Sequence, residues 1–169
     1  MAAPALYQAS VPVFLHYLEQ ARGLVSACRG RPELLEGKLA PDMFSAAQQF
    51  ATAAGFSLRG TFPLIGEPVP EFPSAAMDRE GILTRIDFAH ERLVTMDPAA
   101  FDGADARRIR HLAGFADLDQ RGADYLNLFA IPNFMFHLSI GFAVLRQGGM
   151  DIGKADFDGL HDYPPGFRF

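Results

Sequence analysis

The sequence predicts an all-α fold, a single helical bundle over residues 1–169, and three observations carry that reading. Four stretches repeat apolar side chains at three- and four-residue steps, the period of a helix with one buried face. Clusters of glycine and proline separate them. A chain of 169 residues, 49% apolar and 21% charged, is the size and composition of one well-filled domain. Sixteen Phe against four Tyr and no Trp point to aromatic packing inside it.

The first helix is expected to start at Ser10, a good N-cap, with Pro12 in the first turn, where a missing N–H costs little. Val11, Phe14, Leu15, Leu18, Ala21, Val25 and Cys28 form its stripe, and Gly30-Arg31-Pro32 ends it. Pro41-Asp42 announces the second helix, with Asp42 as its cap and Met43 to Leu58 as its length. That stretch is apolar nearly all round, which places it centrally. Residues 60–73 hold four prolines and two glycines and read as a loop crossing the outside. A third helix follows from about Ser74 to Met96, with Ile82, Ile86, Ala89, Leu93 and Met96 inward, and Asp97-Pro98 stops it.

Between Asp102 and Asp119 the helical period is lost. Basic Arg107-Arg108-Ile109-Arg110-His111 precedes Gly114, and acidic Phe115-Ala116-Asp117-Leu118-Asp119 follows it, a pattern suited to a short antiparallel hairpin with a solvated edge. The last helix opens near Asp124, is kinked by Pro132 and reaches Arg146, with Gly148-Gly149 beyond it. Residues 150–169 read as a loop. Phe14, Leu18, Phe50, Leu93 and Phe134 are the expected core.

Tyr125 to Leu145 holds no formal charge and is long enough to cross a bilayer core of roughly 30 Å. Asn127, Pro132, Asn133, His137 and Ser139 would lack partners in lipid, so the run is read as a buried helix of the bundle, with no membrane partner. The N-terminus shows no basic segment followed by a long apolar one, so no secretory signal is read there. Cys28 is the single cysteine, which fits a reducing, cytoplasmic setting. A net charge of −5 supplies no basic field for nucleic acid.

Few residues offer chemistry. Asn133 and His137 stand four apart on one helix face, the spacing of a metal half-site in which an amide occupies one position. The competing reading is a buried polar pair that satisfies backbone groups freed by Pro132. His16 and His90 lie beside their stripes and read as boundary histidines. Asp156, Asp158, His161 and Asp162 crowd the tail, where exposed acids explain them more simply than a cation. Cys28 sits at a helix C-terminal end, where the dipole raises a thiol pKa. No nucleophile elbow, phosphate loop or dinucleotide fingerprint occurs.

Leu39-Ala40-Pro41-Asp42-Met43-Phe44, Asp124-Tyr125-Leu126, Ile131-Pro132-Asn133-Phe134 with His137, Leu145-Arg146 and Gly153-Lys154-Ala155-Asp156 resemble, in order, an uncharacterised bacterial family. It is the domain-of-unknown-function family numbered nineteen ninety-three, of the DinB/YfiT-like superfamily. The resemblance implies a DinB-like four-helix bundle, usually a homodimer. Better-known members of the superfamily bind a divalent metal through three histidines, one on the second helix and two four apart on the last. Some are thiol-dependent transferases or isomerases. Carried onto this chain, that pattern falls on Gln49, Asn133 and His137, so one of three ligand positions is histidine. The expectation is a non-catalytic or small-molecule-binding bundle with a degenerate metal site and no required cofactor. The alternative is a DinB-type enzyme using His137, with or without a weakly held divalent metal.

Overall fold

A computed structural model describes residues 3–164 and 166–167; the outermost residues of the expected tail loop, and Met1 and Ala2 of the N-terminal reading, lie outside them. Four long helices make the bundle: α1 (Ala5–Ala27), α3 (Ala46–Arg59), α4 (Arg79–Val94) and α6 (Ile131–Gln147). Short helices α2 (Glu33–Glu36), α5 (Gly122–Asp124) and α7 (Lys154–Asp158) fill the connections. Helix α3 packs most extensively on α6, and α4 lies against both α3 and α1. Helix α7 covers α1. Phe14, Leu18, Phe50, Leu93 and Phe134 are all in the core with at most 1% of their surface exposed. Phe14 meets Phe134 edge to face at 5.0 Å. Where α3 and α6 approach, a Cβ on Gly141 would stand 3.0 Å from the Phe50 ring, so glycine sets that spacing.

Helix periods were legible, and so was the start of the last helix, but the starts of the first three were not. Helix α1 begins five residues before Ser10, after Pro4, because Leu6 and Tyr7 also find the core and Tyr7 packs on Phe101. Ser10 is therefore no cap: it is buried inside the helix and donates to the Leu6 carbonyl. Pro12 lies in the helix interior on the exposed side, where the Gln8 carbonyl it leaves unpaired faces water. Helix α3 starts at Ala46, not Met43. Asp42 sits in a turn, and Ser45 with Gln48 closes a reciprocal capping box. Helix α4 is shorter than expected, with Asp78 accepting from the Gly81 amide at its start, while Ile82, Ile86, Ala89 and Leu93 bury as the stripe requires. The 60–73 segment does not stay outside: Thr61 and Leu64 are fully buried around a 3-10 turn, Phe62–Ile65. The tail is not all loop, since α7 forms within it.

The hairpin is present as β1 (Arg108–Ala113) and β2 (Ala116–Arg121), antiparallel, with Arg110 opposite Asp119. Both Arg108 and Arg110 reach the Asp119 carboxylate, at 3.0 and 3.5 Å. The edge is only half solvated: Ile109 is buried, and His111 turns inward against Tyr125 and Phe129.

The last helix runs without a break from Gly122 to Gln147 and includes a π-wound stretch, Tyr125–Ala130, just before Pro132. By length and composition alone it would cross a membrane, with a mean hydropathy of 1.8, and 39% of its most apolar window is buried. Its central burial holds for one face. Phe134, Leu138, Val144 and Leu145 pack inward, whereas Leu128 and Phe136 are 70% and 52% exposed. A four-helix arrangement leaves every member an outer side.

Candidate functional site

Helices α3 and α6 bring two of the three expected pocket residues together. Gln49, 2% exposed on the inner face of α3, meets His137 of α6, with imidazole Nδ1 and amide Oε1 2.7 Å apart. Nδ1–H donates to the carbonyl oxygen, so the second nitrogen, Nε2, is left as an acceptor. No described residue bonds to it. Burial pushes the His137 pKa below its ordinary value, because the imidazolium would lose hydration and gain no counter-charge. That shift favours the neutral ring.

Asn133 lies one turn earlier and does not bond to His137. Its side-chain amide donates to the Phe129 carbonyl at 2.7 Å. The Phe129 carbonyl is not one that Pro132 frees, because the missing Pro132 N–H would have served Leu128. The expected pair of Asn133 and His137 satisfying backbone freed by the proline is therefore not what forms. Its Oδ1 has no partner among the described residues.

Two aromatic rings that the sequence did not single out complete the site. Phe56 and Phe44 lie nearly parallel to the imidazole, at 5.6 and 6.3 Å between centroids, and Phe136 meets its edge at 5.3 Å. Phe56 had a local signal, since it follows Gln49 by seven residues and so shares its helix face. Phe44 precedes the cap and is placed only by tertiary structure. Arg59 lies over Phe56 and Phe129, at 4.7 and 5.4 Å from the ring centres. Beside Phe56 opens a cavity of about 270 Å³, bounded by Arg59, the hairpin residues Leu112 to Gly114, Phe129 and Asn133.

The other candidates lie elsewhere. His16 bonds through Nε2 to the Asp158 carbonyl at 2.6 Å and ties α1 to α7. His90 stands 3.5 Å from Glu19 across α1 and α4. In the tail, Asp158 accepts from the Leu160 and His161 amides and from the His161 ring, while Asp156 caps α7 by accepting from Gly153. Those oxygens are committed to structure. Cys28 is buried, and burial pushes its thiol up to about 11, which makes it a poor nucleophile.

Comparison with known proteins fixes the family. The model for a domain of unknown function, DUF1993, matches residues 6–158. The chain belongs to the DUF1993 family. Among solved structures, this DUF1993 domain is similar to a DinB family member protein from Shewanella denitrificans, with a TM-score of 0.83, 24% identity and 94% of each chain covered. That likeness establishes the DinB-like fold. No curated protein matches.

The three-histidine metal set of the superfamily does not fit here. Gln49 and Asn133 supply amides, which are weak ligands for a borderline metal such as zinc. The Asn133 NH2 is given to the backbone, which leaves only a neutral Oδ1, and Gln49 Oε1 accepts from the His137 ring. Among the described residues no group of three or more His, Cys, Asp or Glu side chains is arranged to hold a metal ion.

Proposed function

We propose that this DUF1993 domain is a receptor for a small, neutral, planar molecule at the Gln49–His137 pair, with the superfamily's metal site degenerate. One observation carries the reading. His137 is fixed by Gln49 at Nδ1 and kept neutral by burial, so Nε2 offers a lone pair with no protein partner among the described residues, flanked by Phe44 and Phe56. Asn133 Oδ1, beside the 270 Å³ cavity, is a second acceptor. Two acceptors select a ligand that donates, such as an amide or amine on a ring. The cavity is bounded by Asn133 and Phe56 and not by His137 itself, so the ligand reaches the pair past Phe56. Benzene fills an engineered cavity of about 150 Å³, and a molecule of one or two rings suits this size. The same geometry favours a second reading, a DinB-type transferase or isomerase with His137 as general base, because an imidazole held at Nδ1–H with Nε2 free is poised to take a proton.

The test uses protein labelled with 15N at histidine. Benzamide is expected to move the His137 Nε2 resonance saturably and leave Nδ1–H in place, while calorimetry with zinc shows no stoichiometric binding. Tight zinc binding by the wild type would refute the receptor reading and favour the enzyme. No response of His137 to benzamide would refute it as well.

A further inference from the structure

A second groove of about 290 Å³ is lined by Gln48, Ala51 and Thr52 of α3, Arg85 of α4, and Phe44 and Met77 just ahead of those helices. Arg85 is unusual in this protein. Its Nε is buried and has no acceptor, and no described residue forms a hydrogen bond or ion pair with its guanidinium. The guanidinium instead lies 5.5 Å from the centre of the Phe72 ring. The acids nearest it in sequence have other partners: Asp78 caps α4, Glu80 pairs with Arg79, and Asp87 pairs with Arg22. A buried donor without an acceptor costs enough that native structures seldom leave one. Nε itself is out of reach from the groove, so a ligand there meets the guanidinium at its terminal nitrogens. Gln48 adds a second donor. Its Oε1 accepts from the Ser45 amide, which leaves its Nε2 hydrogens without an acceptor among the described residues.

From this juxtaposition we infer that the α3–α4 groove is a binding site for a monocarboxylate on an apolar body, the carboxylate taken by Arg85 and Gln48 and the body by Phe44, Ala51 and Met77. The planar fork of a guanidinium matches a carboxylate in two parallel hydrogen bonds. One cation in the lining balances one negative charge, which favours a carboxylate over a phosphate dianion. Phe44 and Met77 are about half exposed, at 49% and 51%, and a ligand body would cover both. The groove shares the Phe44 wall with the His137 site but needs nothing from that reading.

Arginine Nε–H resonances test this directly. Phenylacetate is expected to shift the Arg85 Nε–H signal saturably, phenylacetamide and inorganic phosphate to leave it in place. Arg85→Gln should weaken phenylacetate binding about tenfold or more, the loss expected for charge-assisted hydrogen bonds. Arg85→Lys, which keeps the charge and the packing stem, should recover only part of it. Unchanged circular dichroism certifies both variants as folded. An equal response to phosphate would overturn the assignment, as would no shift at Arg85 or undiminished binding by folded Arg85→Gln. A benzamide shift at His137 with no phenylacetate shift at Arg85 would sink this site and leave the receptor reading standing; a phenylacetate shift at Arg85 with no benzamide shift at His137 would do the opposite.

Discussion

His137 and His161 each hold a side-chain oxygen at close range, 2.7 and 2.5 Å, and they are different chemical groups. His137 faces an amide among aromatic rings, and burial keeps it neutral. His161, itself partly exposed, faces the buried Asp158 carboxylate, which the Leu160 amide, joined by the His161 amide and ring, holds below its usual range. Distance alone does not say what a histidine does. The charge on its partner and the water around it decide, and of the two rings only that of His137 has a nitrogen with no partner among the described residues.

The largest effect expected from breaking this contrast is on metal binding. Replacing Gln49 and Asn133 together by histidine would restore three imidazoles at the superfamily's positions, and calorimetry should then show stoichiometric zinc binding. A well-folded double variant that ignores zinc would mean the three side chains do not converge. Next comes packing. Phe50→Ala or Phe134→Ala should cost about 3–5 kcal/mol in denaturant unfolding, with the His137 resonances disturbed and those of His161 untouched. Losses below about 1 kcal/mol at both sites would show that the α3–α6 seam does not hold the interior pair.

Charge transplantation sharpens the comparison further. Gln49→Glu gives His137 the kind of partner His161 has, and its pKa should rise. In the wild type the folded pKa lies below the ordinary value of 6.5, so the folded state binds fewer protons and stability falls as pH drops through 6.5 toward the folded value. In the variant, stabilisation is present below 6.5 and lost as pH rises through the new folded pKa. Thermal midpoints between pH 5 and 8 should therefore slope in opposite directions. Parallel slopes would mean burial, not the partner, governs His137. The smallest effect is Asp158→Asn, which should hasten hydrogen exchange at the Leu160 and His161 amides and leave His137 unchanged.

Side-chain periodicity was the legible part of this fold. Ile82, Ile86, Ala89 and Leu93 lie where their spacing puts them, because one buried face leaves a regular trace in the chain. Starts were harder to read because several residues compete as caps. Asp42 and Ser45 both qualify, and Ser45 wins through Gln48, while Ser10 loses to core contacts made by Leu6 and Tyr7. At the candidate site, the sequence offered Asn133 and His137 by helical spacing, but Gln49 only by family likeness, since 88 residues separate it from its partner. Phe44 was marked only as part of a family-like segment, and Arg85 not at all. What distinguishes them is a ring stacked across helices and a donor left without an acceptor, and both are properties of the folded chain.

The π-wound stretch from Tyr125 to Ala130 bears on which changes of length this chain tolerates. A π turn bonds each carbonyl five residues ahead, so the stretch carries one residue more than α-winding would need. The surplus lies upstream of Pro132, and the exposed Leu128 is the residue whose removal disturbs packing least. Deleting Leu128 should let the segment rewind as ordinary α-helix with His137 still opposite Gln49. The same deletion at Phe134 would turn one flank of the helix about 100° against the other and part that pair. A homologue one residue shorter is thus expected to have lost it here, between hairpin and proline, at the point where the helix holds slack.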